Sequence, residues 1–379
     1  MSMHRIALMA SDFEDGGVER NFTHLARGFA RLGVETWLLV GNPDHAYLRD
    51  LDPAIRVLPV RGSRADCLRE FMARERPEAL ITGKLRDDLA AVEARDDLPA
   101  ENRVRLVAAV GTLMSGRFAA HRWNPFKTLR ETRRIRACYR RLDGVTAVSQ
   151  AVAEDLQQVF GIREVPVAVL ANPIIPDDLE DLAALPCHQP WLAESSADRS
   201  GPLIVALGGL RQVKDFATLL RAFARLQRPD ARLVIIGEGK ERAALAALAR
   251  RLGIQDRVDL PGFVANPFPW LARADLLALS SRREGLPNAL VEALALGIPV
   301  VATDCTGGVR ELLQDGQLGP LVPVGDPAAL ADAMTLTLDR LAADDLNRDR
   351  LRQAAEPYRL IPAARAYLNF FRSLAGTPA

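Results

Sequence analysis

The stretch that decides the fold reads, from residue 280 to residue 303, SSRREGLPNALVEALALGIPVVAT. The run just before it, Asp275–Leu279, is short and apolar, which is typical of a buried parallel strand. Asn288 is a favourable helix N-cap, and residues 289–296 are strong helix formers. Gly297 and Pro299 end that helix, and a second apolar run follows. The stretch therefore predicts a strand, a loop, a helix and a strand of a doubly wound α/β sheet.

Two carboxylates lie on this unit, Glu284 in the loop and Glu292 about one turn inside the helix. Both can face the crevice beyond the strand ends, where open α/β sheets bind ligands. The free N–H groups at a helix start favour a phosphate, and carboxylates accept hydrogen bonds from sugar hydroxyls. This combination favours a sugar nucleotide. The alternative is a solvent-exposed loop glutamate and a glutamate that interacts with the helix dipole; the spacing alone leaves both open.

Glu284–Leu294 resembles the signature of the retaining glycosyltransferases of family 4, which have the GT-B fold. Three later segments continue the pattern: Asp304-Cys305, Arg310–Leu313 and Gly319–Asp326. The resemblance covers nearly the whole chain and is most specific from 203 to 326. It implies an α/β protein with two doubly wound, Rossmann-like domains that face each other across a cleft.

The resemblance also implies a division of the chain. Residues 1–178 would form an acceptor-binding domain, completed by a crossing helix at about 358–379, and residues 200–357 would form the nucleotide-sugar-binding domain. Residues 176–200 are rich in Pro, Asp and Ser and are typical of a linker between domains. The length of 379 residues allows two domains of ordinary size.

Composition limits the class of protein. The net charge of +1 argues against nucleic acid as a main partner. The four cysteines are far apart with no paired spacing, which indicates a reducing compartment and no structural zinc. We find neither the pattern of a signal peptide nor a run near the roughly 20 apolar residues of a membrane span. These features predict a cytoplasmic protein.

The first half begins with a strand, a loop ending in Gly16-Gly17, a helix and a second strand. A glycine pair most often makes a tight turn, whereas the resemblance implies that Gly16 and Gly17 face the donor phosphate and the acceptor. No Gly-x-Gly-x-x-Gly fingerprint is present, and no acidic residue follows the second strand to hold a ribose. We therefore expect no nicotinamide cofactor. We expect no other cofactor either, since a nucleotide-sugar donor is a substrate.

The strand Leu106–Val110 is followed by Gly111-Thr112. Family members often carry a catalytic-site histidine at this place. The nearest histidine here is His121, which an ordinary surface position explains better. This departure leaves any catalytic role of a histidine in doubt.

The segment from Arg117 to Arg141 is markedly basic, and Asn124-Pro125 starts a helix within it. The apolar residues repeat at spacings of three and four and predict a core-facing side, while the arginines occupy the other side. A basic face of this kind can lie on anionic lipid at roughly 1 kcal/mol per charge. Our hypothesis is a peripheral contact with the inner leaflet; the alternative is a solvated helix face.

In the second half, Arg211 and Lys214 lie in the loop between a strand and a helix, next to Gly209. Lysine occurs only at 84, 127, 214 and 240, so a lysine in a glycine-rich loop is not explained by solubility. Arginine offers a planar fork to phosphate oxygens and lysine a compact charge. The resemblance implies that both cations bind the donor diphosphate and stabilise the leaving nucleotide.

Further donor-binding positions follow from the same resemblance. Gly237, at the end of a strand, would let the nucleotide lie close. Phe263 and Val264 are candidates for contact with the base, with core packing of Phe263 as an equal alternative.

The loop that opens the signature, Gly285-Leu286-Pro287-Asn288, departs from relatives that have Phe-Gly where this chain has Leu-Pro. Pro287 has no N–H to donate. Asn288 is placed to compensate through its side-chain amide.

Residues and resemblance together predict a hexosyl- or N-acetylhexosaminyl-transferase. The resemblance implies that the reaction retains the anomeric configuration, and we expect it to be metal-independent because Arg211 and Lys214 supply the positive charge. Glu284 would hold sugar hydroxyls and Glu292 the ribose diol of a nucleotide sugar, which we expect to be a UDP-sugar. The acceptor would be a saccharide or a polyprenyl-linked molecule in cell-surface glycan synthesis. Two alternatives stay open: another GT-B enzyme, such as a sugar phosphorylase or epimerase, and a catalytically inert partner subunit.

Overall fold

The computed structural model describes residues 3–12, 17–49, 51–99, 102–116, 125–187, 191 and 201–374. The chain divides into two compact units, one formed by Met1–Pro176 with Pro357–Ala379 and the other by Asp177–Glu356. None of the helices in the described ranges is long and apolar enough to cross a membrane.

Up to residue 187, the described elements are β1 (Arg5–Ala10), α1 (Gly17–Arg31), β2 (Glu35–Val40), β3 (Ile55–Pro59), α2 (Arg64–Glu75), β4 (Ala79–Thr82), α3 (Leu85–Asp96), β5 (Arg105–Val110), α4 (Pro125–Tyr139), β6 (Gly144–Ala147), α5 (Gln150–Gln158), β7 (Val167–Val169) and α6 (Leu179–Ala184). From residue 201 they are β8 (Leu203–Leu207), α7 (Phe216–Phe223), β9 (Arg232–Ile236), α8 (Arg242–Arg251), β10 (Val258–Gly262), α9 (Phe268–Ala272), β11 (Leu276–Leu279), α10 (Asn288–Ala295), β12 (Val300–Thr303), α11 (Val309–Leu312), β13 (Leu321–Val322), α12 (Pro327–Ala342), α13 (Arg348–Ala355) and α14 (Leu360–Ser373).

The first unit is built on a parallel sheet. Within the described residues its seven strands run in the order β3-β2-β1-β4-β5-β6-β7. Helix α14 returns to this unit and packs against α1. The close approach requires a glycine, because a Cβ at Gly28 would lie 2.6 Å from the Cβ of Ala364. Phe371 of α14 and Phe29 of α1 are buried in the core that this contact forms.

The second unit repeats the arrangement with a parallel sheet of its own. Its described strands follow the order β10-β9-β8-β11-β12-β13. The strands at its centre are fully apolar and buried on both faces, as parallel strands between helices are. The strand, loop, helix and strand predicted from 275–303 are present as β11, α10 and β12.

Two details differ from the sequence-based expectation. Residues 177–187 are not a linker, because α6 buries Leu179 and Ala183, one turn apart, and contacts α9. The second unit therefore starts at Asp177 rather than near 200. Asn288 is not the N-cap of α10; Pro287 holds that position in an extended conformation (φ −80°, ψ 103°), and Asn288 is the first helical residue.

Candidate functional site

The site of the second unit lies where the strand order reverses. Strand β8 pairs with β9 on one side and with β11 on the other. The loops that leave β8 and β11 therefore lead to helices on opposite sides of the sheet and leave a crevice between them, where open α/β sheets bind ligands. These two loops carry Lys214 and Glu284.

Lys214 and Glu284 form an ion pair, with Lys214 Nζ 2.7 Å from Glu284 Oε1. The same carboxylate oxygen accepts a hydrogen bond from Ser281 Oγ at 2.5 Å. Both charged side chains are largely buried, so solvent screens their interaction less than on an open surface. The sequence assigned these residues to the same site but did not predict that they contact each other.

Three further contacts fasten the two loops together. Ser280 Oγ donates to the carbonyl oxygen of Lys214 at 2.9 Å. The backbone N–H of Arg282 donates to Val213 at 2.8 Å, and its guanidinium lies 2.9 Å from Asp215 Oδ2. The backbone of Lys214 is thereby held at a defined position beside Glu284.

Glycines make this packing possible at two points. Gly237 has φ 145°, and a Cβ there would lie 2.1 Å from the carbonyl oxygen of Gly208. Gly208 has φ 149°, and a Cβ there would lie 2.9 Å from Lys214 Cε. The contact between the two loops therefore requires a glycine at position 237. Sequence reasoning named Gly209, whose carbonyl accepts a hydrogen bond from the N–H of Arg211 at 2.7 Å. It missed Gly208, although the Gly-Gly pair was a signal that could have found it.

Gly307 is a second residue that sequence reasoning missed. It has φ 122°, and a Cβ at this position would lie 1.5 Å from the carbonyl oxygen of Glu284. The backbone N–H of Glu284 donates to Thr306 at 3.0 Å, and that of Gly308 donates to Gly285 at 2.8 Å. The segment after β12 therefore supports the loop that carries Glu284; its glycine pair at 307–308 was the signal.

Arg211 shares a turn with Lys214, whose N–H donates to the Arg211 carbonyl oxygen at 2.9 Å. The Arg211 side chain is exposed and lines a cavity of about 540 Å³ together with Arg282 and Arg283. The structure thus brings the two predicted phosphate-binding cations into one turn.

Glu292 is buried in α10, one helical turn after Asn288. Gly285 and Pro287 are also buried, and Leu286 and Asn288 are half-buried. This part of the site is consequently a packed strand-to-helix connection rather than an open loop.

Phe263 and Val264 follow β10 at the edge of the sheet. Phe263 is 54% exposed, so core packing, the alternative explanation for this residue, is wrong. Val264 lines a cavity of about 810 Å³ with Trp191 and Trp270. Neither Lys214 nor Glu284 lines that cavity.

Some predicted positions fall elsewhere. Gly17 is the first residue of α1 and is exposed. Gly16, His121 and the first part of the basic segment, 117–124, lie outside the described residues.

The charge of Glu284 affects its surroundings. Burial, with the nearby Glu284 carboxylate as a second cause, raises the pKa of the Cys305 thiol to about 12. Cys305 is therefore protonated and unreactive at neutral pH. In the described part of the chain, no group of three or more His, Cys, Asp and Glu side chains is arranged to hold a metal ion.

Comparison with known proteins identifies the family. Residues 15–178 match the model described as Glycosyltransferase Family 4, and residues 201–340 match the model described as Glycosyl transferases group 1. The chain is 30% identical over 269 residues, 71% of this chain and 70% of the relative, to the N-acetylgalactosamine-N,N'-diacetylbacillosaminyl-diphospho-undecaprenol 4-alpha-N-acetylgalactosaminyltransferase of Campylobacter jejuni. The chain belongs to glycosyltransferase family 4. It is a glycosyltransferase.

Other relatives of this glycosyltransferase agree. It is 28% identical over 346 residues, 89% of each chain, to the lipopolysaccharide core biosynthesis glycosyltransferase LpsE of Rhizobium meliloti. Its structure is similar to that of Anabaena HepE in complex with UDP and glucose (TM-score 0.78, 20% identity, 98% of this chain and 100% of that one). It is also similar to WaaG, a glycosyltransferase involved in lipopolysaccharide biosynthesis (TM-score 0.71, 16% identity, 97% and 99%). The fold is therefore GT-B, with two Rossmann-like domains.

Proposed function

We propose that this glycosyltransferase moves a hexosyl or N-acetylhexosaminyl group from a UDP-sugar to a saccharide or polyprenyl-linked acceptor, with retention of configuration, in cell-surface glycan synthesis. The observation that carries the proposal is the Lys214–Glu284 ion pair at the switch point of the second unit. It places a cation for phosphate and an acceptor for sugar hydroxyls within one hydrogen bond of each other.

The roles of the site residues follow from their chemistry. An ammonium group has three donors, so Lys214 can hold Glu284 and a diphosphate oxygen together. Arg211, in the same turn, adds a planar fork for a second oxygen. The two cations neutralise the charge that develops on the leaving nucleotide, and electrostatic stabilisation of this kind is usually the largest single contribution to enzymatic rate enhancement. Glu292 accepts from the ribose diol, and no metal is required.

The names of the relatives support the donor and the acceptor. HepE was solved with UDP-glucose as well as with UDP and glucose. The Campylobacter relative is named for a sugar acceptor linked to diphospho-undecaprenol. A UDP-sugar and a polyprenyl-linked acceptor are therefore the first candidates for this chain.

Thermal shift with UDP, GDP, ADP and NAD tests the donor site. A ligand at 100 times its dissociation constant stabilises the folded state by roughly 2.7 kcal/mol. We expect a shift with UDP that is lost in Lys214→Ala and Glu292→Gln and kept in Lys240→Ala, an exposed lysine of the same unit. A shift with NAD alone would overturn the transferase assignment, and no shift with any nucleotide would favour an inert subunit.

Product analysis tests the reaction type. NMR of the glycosidic product reports whether the anomeric configuration of the donor is retained. Activity that survives EDTA supports a metal-independent reaction, and activity lost in EDTA and restored by a divalent cation refutes it.

We also propose that the enzyme works on the cytoplasmic side and contacts the inner membrane surface through α4. Phe126 is 83% exposed at the start of this helix, Leu129 is exposed one turn later, and Arg130, Arg133 and Arg134 are exposed beside them. Exposed apolar groups among cations fit an interface of anionic lipid. Flotation with anionic vesicles should recover the protein, and Phe126→Ser should weaken recovery. Equal recovery with neutral vesicles would refute the charge-based contact.

A further inference from the structure

The first unit has a crevice of its own at the point where its strand order reverses, between β1 and β4. Ser11 and Asp12 leave the carboxyl end of β1, and Gly83 and Lys84 leave that of β4. Ligands of open α/β sheets bind at such a place. Lys84 is one of only four lysines in the chain.

The ammonium group of Lys84 uses two of its three hydrogen-bond donors within the protein. Its ammonium lies 2.6 Å from Glu19 Oε1 and donates a second hydrogen bond to the backbone carbonyl of Asp12. An ammonium has three donors, and no third protein acceptor is present among the described residues. Gly83 sets the position of the lysine, because its backbone lies against Val18 and Phe22 so closely that a Cβ would fall 2.8 Å and 2.9 Å from them.

Two arginines join Lys84 around Asp12. Arg64 donates to Ser11 Oγ at 2.7 Å and to Asp12 Oδ1 at 3.2 Å. Arg86 lies 2.7 Å from Asp12 Oδ2. Three cations therefore meet around Asp12: Lys84 and Arg86 come from the segment after β4, and Arg64 comes from the start of α2.

The charged side chains of this cluster differ in how far they are exposed to solvent. Side-chain exposure is 24% for Lys84 and 60% for Arg86, against 4% for Glu19 and 0% for Asp87. Asp87 is also engaged by the backbone N–H and the hydroxyl of Ser11. Glu19 and Asp87 thus lie beneath the cations, whereas Asp12 is as exposed as Lys84. Arg64 and Arg86, with 35% and 60% of their side chains exposed, reach furthest toward solvent, so cationic groups form the outer part of the crevice.

The start of α3 adds to this field. Lys84 is the N-cap of α3, and because an ammonium can only donate, its side chain leaves the first N–H groups of the helix without a capping acceptor. The first backbone N–H groups of a helix lack intrahelical partners and favour an anion. This helix terminus supports the cation cluster and does not stand alone as the site.

We propose that Lys84, Arg86 and Arg64 bind a phosphate or diphosphate group of the acceptor substrate. The proposal rests on the transferase function proposed above and names the residues of the first unit that serve it. Two sources carry this chemistry, a lipid-linked diphosphate and a phosphorylated saccharide. Lys84 would hold Glu19 with one donor and the anion with another.

Calorimetric titration of the UDP-saturated protein with inorganic pyrophosphate tests the site, because UDP occupies the phosphate-binding cations of the second unit. The informative variants are Arg86→Ala, at an exposed position, and the pair Lys84→Met with Glu19→Gln, which leaves no buried unpaired carboxylate. We expect pyrophosphate to bind about tenfold more weakly to the Lys84 variant and about threefold more weakly to Arg86→Ala. The control Arg56→Ala removes an equally exposed, ion-paired arginine of the same unit and should change nothing.

Further titrations identify the source of the anion. Tighter binding of geranyl diphosphate than of glucose 1-phosphate indicates a lipid-linked acceptor, and the reverse indicates a phosphorylated saccharide. Absence of pyrophosphate binding, or equal affinity in the wild type and both variants, overturns the proposal. If the protein does not bind UDP, the proposed function is wrong, but the anion site can still be tested. The double variant Arg211→Ala with Lys214→Ala lacks the phosphate-binding cations of the second unit, so pyrophosphate titration of this variant reports on the first unit.

Discussion

Glu284 is held from two directions, by the ammonium of Lys214 and by the hydroxyl of Ser281. These two contacts fix the orientation of the carboxylate. In the proposed function, Ser281 would still hold Glu284 in place for the sugar hydroxyls if the donor diphosphate drew Lys214 away. The serine after β11 therefore makes the two roles of the site compatible.

Replacing Lys214 with alanine should lower kcat by about 10²-fold, because the leaving diphosphate loses a preorganised cation in the transition state. Initial rates at saturating donor and acceptor measure this. Lys240→Ala is the matched control and should keep its kcat. An unchanged kcat in Lys214→Ala would assign the lysine to structure alone.

His24 is a second residue whose environment has a measurable consequence. Burial, followed by the charge of Arg20, lowers the pKa of His24 to about 3. Its Nδ1–H donates to the carbonyl of Pro173 at 2.8 Å. The folded protein therefore favours the neutral imidazole.

The unfolded chain binds a proton at His24 near pH 6.5 and the folded chain does not, so stability is full above that pH and is lost as the pH falls toward 3. At pH 5.5 the free energy of unfolding should be about 1.4 kcal/mol lower than at pH 7.5 from this group. Urea unfolding at both pH values measures the difference. His24→Gln should remove this contribution, while the exposed His4→Gln should retain it.

At the scale of elements, the loops of the second unit depend on backbone that lies too close for any side chain. Gly237 after β9 touches the carbonyl of Gly208 after β8, and Gly307 after β12 touches that of Glu284 after β11. The site is consequently a set of interlocked strand ends. A change in one loop is transmitted to the next through backbone contacts.

Gly237→Ala should lower the free energy of unfolding by about 3 kcal/mol and weaken UDP binding, because its Cβ overlaps backbone and its φ is positive. The control is Gly253→Ala, which also has a positive φ (68°) but no atom within 4 Å of its Cβ. That change should cost only about 1 kcal/mol and leave UDP binding intact. Urea unfolding and UDP titration separate the two. Equal losses would mean that backbone strain, not loop packing, explains Gly237.

At the scale of the whole molecule, each unit has its own sheet and its own buried core. The residues of the proposed donor site, Lys214, Glu284 and Glu292, all belong to the second unit, while His24 belongs to the first. Ligand and pH should therefore act on different parts of the unfolding process.

Differential scanning calorimetry should resolve two transitions. UDP should raise the one that belongs to the second unit, since a ligand stabilises only the part that binds it. Lowering the pH from 7.5 to 5.5 should lower the other, through His24. A single transition that moves as a whole under both treatments would show that the units unfold as one.

Much of this protein was predictable from the order of its residues. The elements around 275–303 follow from local signals, because apolar runs and helix-ending glycines act within a few residues. The grouping of Lys214 with Glu284, which are 70 residues apart, came from the resemblance to a family instead. Asp326 shows how short such signals are: it stands directly before Pro327 and caps α12 by accepting from the N–H groups of Ala328 and Ala329.

Tertiary structure decided what depends on distant segments. The sequence shows Gly237 as a turn residue, but only the neighbouring strand end shows which backbone atom excludes a Cβ. The exposure of Phe263 and the packing of α6 on α9 likewise depend on what the rest of the chain covers. Lys84 escaped sequence reasoning because its partners, Glu19 and Asp12, are 65 and 72 residues away. Interactions between neighbouring residues determine the helices and strands. Which side chains touch, which are buried and which charges face solvent is decided only when strand ends from separate parts of the chain meet.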